Sequence, residues 1–189
     1  MSNNLYPIFL KTEQLNILIV GGGKVALEKL SFLLKSSPNS KVTVVSKHFH
    51  ADILAMSVLE NLILKQEEYT VNYLKSISLV IVATNDTEEN IRVYKDAKAN
   101  NILVNVADNP MYCDFYMGGI VTKGDLKLGI STNGKSPTLA KRLRQFFEQV
   151  LPEELDDLLD NLNQYRKTIK GDFDNKVEQL NKATELLIK

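Results

Sequence analysis

Residues 17–26 read ILIVGGGKVA, an apolar run that ends in three consecutive glycines and passes at once into a helical pattern. A continuous Ile/Leu/Val run is buried on both faces and belongs inside a parallel sheet. The glycines then allow a turn tight enough to bring backbone N–H groups close to a pyrophosphate. Side chains there would obstruct that approach, and the positive end of the following helix favours the anion. Gly21 and Gly23 hold the first two positions of G-x-G-x-x-G/A, with Ala26 in the third, where helix and strand pack closely. Taken alone, the pattern fits a dinucleotide site and also a glycine turn in any α/β domain.

The surrounding pattern extends that choice. Strands are expected at 15–20, 41–46, 62–65, 79–83 and 102–106, with helices between them, the first over 24–35, so this part reads as a doubly wound α/β unit. The polar residues 84–87 are placed to cap a second helix near the carboxyl end of the fourth strand. After Val106 the pattern changes: 118–122 and 126–132, joined by Lys123, Gly124 and Asp125, read as a hairpin. A helix is expected over 137–150, with Pro137 acceptable in its first turn. Two apolar stripes follow, Leu155 to Ile169 and Phe173 to Leu187, separated by Gly171. The hairpin and helix have little core of their own, so residues 113–150 are expected to bury surface against a second copy. The expected domains are 1–112, 113–150 and 151–189.

Lys plus Arg equals Asp plus Glu, 23 against 23, so no whole-chain field draws the protein to nucleic acid or an anionic membrane. No apolar run approaches spanning length, and the N-terminus has no secretory pattern; a cytoplasmic protein is expected. Cys113 is the single cysteine, and only His48 and His50 join it as soft metal ligands, so no zinc framework is expected. The acids Glu153, Glu154, Asp156, Asp157 and Asp160 read as the start of a helix, where the dipole favours negative charge.

Four segments, GGGKVALEKL at 21–30, VATND at 82–86, NVADNPMYCDF at 105–115 and GISTNGKSPTLAKRLR at 129–144, together resemble the precorrin-2 dehydrogenases of siroheme synthesis. That family also occurs as the N-terminal part of fused siroheme synthases. The resemblance implies a Rossmann-like parallel sheet, a strand-helix dimerisation domain and a small helical C-terminal domain. It implies NAD as cofactor and oxidation of precorrin-2 to sirohydrochlorin; some members also insert ferrous iron. By position, the cofactor residues are Gly21, Gly22, Gly23, Lys24, Val25, Ser46, Lys47, His48 and Thr84. The acid usually found about twenty residues past the glycines, which accepts from the ribose hydroxyls, is absent. Ser46 offers a weaker bond there. Lys47 is suited to a 2′-phosphate, or is a solvated strand-end charge.

Asp108 matches the family's proposed catalytic carboxylate. Oxidising a reduced tetrapyrrole removes a hydride and a proton, and an ordinary Asp, ionised at neutral pH, can accept the proton. Asp-Asn-Pro also initiates turns, which leaves a structural role open. Residues 135–144 carry Lys135, Lys141, Arg142 and Arg144 and no acid, a local basic surface suited to a substrate rich in carboxylates or to a solvated helix face. Lys141 and Arg144 share a face, and Arg142 points elsewhere. Ser131 and Thr132 precede that helix, in a loop where the family commonly carries Ser and Gly and this chain has Thr132 and Asn133. Alternatives to a dehydrogenase are a bifunctional dehydrogenase and ferrochelatase, and a non-catalytic NAD-sensing module. A fused methyltransferase is not expected within 189 residues. Gly21→Val is expected to block the cofactor and leave the fold.

Overall fold

The computed structural model describes residues 3–153 and 155–185. They form two units that divide between Met117 and Gly118. The first contains strands β1 (Asn16–Val20), β2 (Lys41–Val45), β3 (Leu62–Lys65), β4 (Leu79–Val82) and β5 (Leu103–Val106), with helices α1 (Lys24–Ser36), α2 (Ala51–Ala55) and α3 (Thr87–Ala99). All strands are parallel, in the order β3-β2-β1-β4-β5. The five expected strands are present, each within a residue or so of its anticipated limits. The chain order reverses beside β1, which pairs with β2 on one side and β4 on the other. In open parallel sheets the ligand crevice lies outside the carboxyl ends at such a reversal.

Side chains on β1 alternate between two cores. Ile17 and Ile19 join Ala26, Leu30 and Leu34 of α1 and Ile53 of α2 on one face. Leu18 and Val20 join Val93 and Ala97 of α3 on the other. Both faces are buried, as the unbroken apolar strand requires. Short α2 has no clear periodic signal in sequence. His50 caps it, with Nδ1 accepting from the Asp52 amide at 3.3 Å.

The second unit holds the antiparallel pair β6 (Gly119–Lys123) and β7 (Leu126–Ile130), then α4 (Pro137–Val150), α5 (Leu155–Thr168) and α6 (Phe173–Thr184). The hairpin turns through Gly124, at φ 51°. Asp156, in the first turn of α5, accepts from the Asp125 amide at 2.8 Å, and Glu153 pairs with Lys123. Two of the acids clustered in sequence thus hold the hairpin turn, while Glu154 lies outside the described residues. Ala140 of α4 packs over Gly119, where an added Cβ would come 3.3 Å from the Ala140 carbonyl oxygen. Gly171, at φ 114°, separates α5 from α6, and Leu187 of the second apolar stripe lies outside the described residues. Residues 113–117, grouped with the hairpin in the sequence-based division, pack within the first unit.

Candidate functional site

At the reversal, a cleft of about 630 Å³ opens over the ends of β1, β2 and β4. It is lined by Gly21, Gly22, Gly23, Lys24, Val25, Ser46, Lys47, His48 and Thr84, and also by Glu67, Glu68, Tyr69, Asn85, Asp86 and Glu89. The three glycines do different work. Gly21 sits at φ +120°, and a Cβ there would collide with the Ala83 carbonyl oxygen. A Cβ on Gly22 would collide with the His48 carbonyl oxygen. Gly23, by contrast, faces open space, with no atom within 4 Å of where its Cβ would stand. The turn is stitched to its surroundings by Gly21 N–H to the Val45 carbonyl at 2.9 Å and His50 N–H to the Gly22 carbonyl at 2.7 Å. Gly21→Val would therefore break the turn itself, contrary to the expectation that it spares the fold; Gly23 is the position where a side chain meets only the cleft.

These observations fit a dinucleotide pyrophosphate. Gly23 is the residue before the 13-residue α1 and gives its first amides no side-chain cap, and Gly23, Lys24 and Val25 line the cleft. Ala26 is fully buried in the core, as the third motif position demands. Ser46 donates its hydroxyl to the His48 carbonyl at 2.8 Å, which fixes the loop after β2. Thr84 Oγ1 lies 2.6 Å from Asn90 Oδ1 and accepts from the Asp86 amide at 3.1 Å. Asp86 caps α3, accepting from the Glu88 and Glu89 amides at 2.9 and 3.0 Å. Thr84 thus belongs to the framework of the cleft wall.

Lys47 Nζ stands 2.8 Å from Glu68 Oε1. The carboxylate raises the Lys47 ammonium above its ordinary pKa, chiefly through this direct contact, and Lys47 lowers Glu68 in turn. Four carboxylates, Glu67, Glu68, Asp86 and Glu89, line the cleft beside two lysines, Lys24 and Lys47. Of these acids only Asp86 falls in one of the motif segments, VATND at 82–86. Glu67 and Glu68 were nevertheless within reach of sequence reasoning, because they follow the end of β3 and residues just past parallel strands face the crevice. Burial pushes the Tyr69 phenol well above its usual range, and Asp96 adds to the effect, accepting from Tyr69 Oη at 3.1 Å.

Asp108 lies two residues beyond β5, at the same carboxyl edge as the cleft but not among its lining residues. Its backbone is left-handed, at φ 59°, and its side chain is exposed, with no hydrogen bond or ion pair among the described residues. The turn around it is held by other groups. Asn109 N–H donates to the Val106 carbonyl at 3.2 Å, Cys113 Sγ donates to that same oxygen at 3.2 Å, and Asn105 Nδ2 donates to the Phe115 carbonyl at 2.8 Å. Asp114 accepts from the Val104 amide at 3.1 Å and pairs with Lys98 at 2.6 Å. Two nearby acids thus differ sharply: Asp114 is built into the turn, and Asp108 is presented by it.

In the second unit, Asn133 and Gly134 are both left-handed, at φ 54° and 73°, so Asn133 adopts the conformation that the family's usual glycine would supply. Ser131 Oγ accepts from the Asn133 amide, and Thr132 Oγ1 bonds both the amide and the carbonyl of Ser136. Ser136 caps α4, accepting from the Leu139 amide at 3.1 Å. Arg144 pairs with Glu148, and Arg142 donates to Gln145 at 3.2 Å. Lys135 and Lys141 are exposed and make no side-chain hydrogen bond or ion pair among the described residues.

Residues 8–119 match the family model described as putative NAD(P)-binding, and residues 123–149 match sirohaem biosynthesis protein central. The siroheme synthase of Psychrobacter arcticus is 36% identical over 168 residues, covering 89% of this chain and 30% of that protein. The siroheme synthase of Neisseria meningitidis is 32% identical, covering 89% of this chain and 34% of that protein. The chain thus spans about a third of the length of these relatives. Among solved structures, SirC, precorrin-2 dehydrogenase, is 26% identical with a TM-score of 0.70, covering 94% of this chain and 88% of that one. With its glycine turn, its reversed parallel sheet and a family match over 8–119, this chain belongs to the putative NAD(P)-binding family, in the form that continues into the sirohaem biosynthesis central segment.

Proposed function

We propose that the chain is an NAD-dependent dehydrogenase that oxidises precorrin-2 to sirohydrochlorin in siroheme synthesis. The observation that carries this reading is that the likeness to a precorrin-2 dehydrogenase extends over 94% of the chain, beyond the nucleotide-binding sheet into the second unit. A generic NAD-sensing module has no reason to share both. When bound, the nicotinamide accepts a hydride from the substrate. The amides at the start of α1, opened by Gly21, Gly22 and Gly23, bind the pyrophosphate, with Lys24 and Val25 completing the turn. Ser46, Lys47 and His48 serve the adenosine side, and Thr84 shapes the wall opposite. Asp108 accepts the proton that the substrate loses with the hydride and passes it to water. Its exposure and lack of a partner leave the carboxylate free to do so.

NAD is favoured over NADP because carboxylates outnumber lysines around the cleft, and a 2′-phosphate adds close to two further negative charges. Lys135 and Lys141, with Ser131, bind substrate carboxylates. Arg144 and Thr132 contribute less, since each is already engaged with Glu148 or Ser136. The protein acts in the cytoplasm as a homodimer, a reading supported by the exposed apolar side chains Leu139, Phe146 and Val150 on α4. The test is to give the purified chain precorrin-2 and NAD, with and without ferrous iron, and record the optical spectrum. Sirohydrochlorin should form without iron, and sirohydrochlorin or siroheme with it; no change in either mixture would refute the reading, and siroheme would assign the second activity as well.

A further inference from the structure

The cleft contains an ionic arrangement that a glycine cradle does not require. Lys47 follows β2, Glu68 follows β3, and the two side chains are 62% and 71% exposed. An ion pair so exposed contributes little to stability. Its place is more informative than its energy. β2 and β3 run parallel with Val45 opposite Lys65, so the loops after them leave the same edge side by side. In many dinucleotide-binding sheets the residue after β2 is an acid that accepts from the ribose hydroxyls; here it is Ser46, a neutral hydroxyl that donates to the His48 carbonyl and accepts more weakly than a carboxylate. Glu68 brings a carboxylate to the same cleft from the neighbouring loop.

The two cofactor types ask for opposite chemistry at this point. A ribose diol donates and needs an acceptor, whereas a 2′-phosphate accepts and needs cations. Lys47 would answer the second need, but its ammonium is already held by Glu68, and the charges of Glu89 and Asp86 reach it too. We infer that Glu68 sets the cofactor preference of this cleft: it replaces the missing carboxylate after β2 and, by pairing with Lys47, denies a ribose 2′-phosphate its counter-charge. This rests on the proposed reading that the cleft binds a nicotinamide dinucleotide.

The test is titration calorimetry of NAD and of NADP into the full chain, its Glu68→Gln variant and the Lys47→Met/Glu68→Gln double variant, each checked for unchanged thermal unfolding. The parent should bind NAD more tightly. Glu68→Gln should weaken NAD and strengthen NADP, shifting their affinity ratio by about tenfold or more, equivalent to about 1.4 kcal/mol. The double variant should lose the NADP gain and keep the NAD loss. A ratio that stays within about twofold in Glu68→Gln would overturn the role of Glu68 and leave the NAD preference standing. An NADP gain that persists without Lys47 would overturn the inference too. A parent that prefers NADP would overturn it and leave a nicotinamide cleft, whereas a parent that binds neither would remove the underlying reading with it.

Discussion

Gly23 and Gly21 show how residues of one type divide a task. Gly21 has a left-handed backbone and backbone atoms pressed against it, so Gly21→Val should cost several kcal/mol and appear as a lowered melting temperature. Gly23 has neither constraint. Gly23→Val should melt close to the parent and bind NAD at least about tenfold more weakly, because its side chain enters the space left for the pyrophosphate. Calorimetry on the two variants checks both halves. Asp108 and Asp114 form a second contrasting pair. Asn is at least as comfortable as Asp in left-handed backbone, and the Asp108 side chain bonds nothing in its turn, so Asp108→Asn should leave stability and NAD affinity unchanged. Its turnover should fall by about 10²–10⁴-fold if the carboxylate is the base. Asp114→Ala removes the acceptor of the Val104 amide and should cost about 1 kcal/mol or more. Lys98 tests the same contact by pH. Asp114 raises the Lys98 pKa in the folded state, so the pair's stabilisation is fully present below about pH 10, the unfolded value, and fades as pH rises through the higher folded one. The destabilisation caused by Lys98→Met should therefore be constant from neutral pH to about pH 10 and shrink above it.

At the scale of elements, the sheet was legible because buried parallel strands are written as short apolar runs, and Ile17 to Val20 or Leu79 to Val82 admit little else. Short α2 was not legible, since five residues show no helical period and its cap is the Nδ1 of His50, which no motif announces. The glycine turn was recognised as a whole, but its internal division was not. Which of Gly21, Gly22 and Gly23 has room for a side chain depends on where Ala83 and His48 come to rest, and those contacts are made between segments distant in sequence. The position of Glu67 and Glu68 just past β3 is legible in sequence, but the contact of Glu68 with Lys47 is not, because it forms only when β3 takes its place beside β2. Helix α4 carries the assembly expectation. Leu139, Phe146 and Val150 are 51%, 54% and 60% exposed. A Phe buried on association contributes about 1.5–3 kcal/mol, so Phe146→Glu should weaken a dimer by tenfold or more and shift sedimentation at micromolar concentration towards the monomer. A parent that already sediments as a monomer would remove the expectation.

At the scale of the whole molecule, the chain joins a nucleotide-binding sheet to a hairpin-and-helix unit, and the charge is distributed unevenly within a total that balances. Acids gather around the cleft past the ends of β3 and β4, while Lys135 and Lys141, which make no ion pair among the described residues, lie before and on α4. That distribution suits a cofactor without a 2′-phosphate and a substrate rich in carboxylates. The proposed transfer of hydride from the tetrapyrrole to NAD on this chain has a stoichiometry that can be measured. Under anaerobic conditions, with precorrin-2 limiting, reduced nicotinamide and sirohydrochlorin should appear together, one for one and at the same rate. Sirohydrochlorin without reduced nicotinamide, or no consumption of precorrin-2 by folded protein that binds NAD, would contradict the claim.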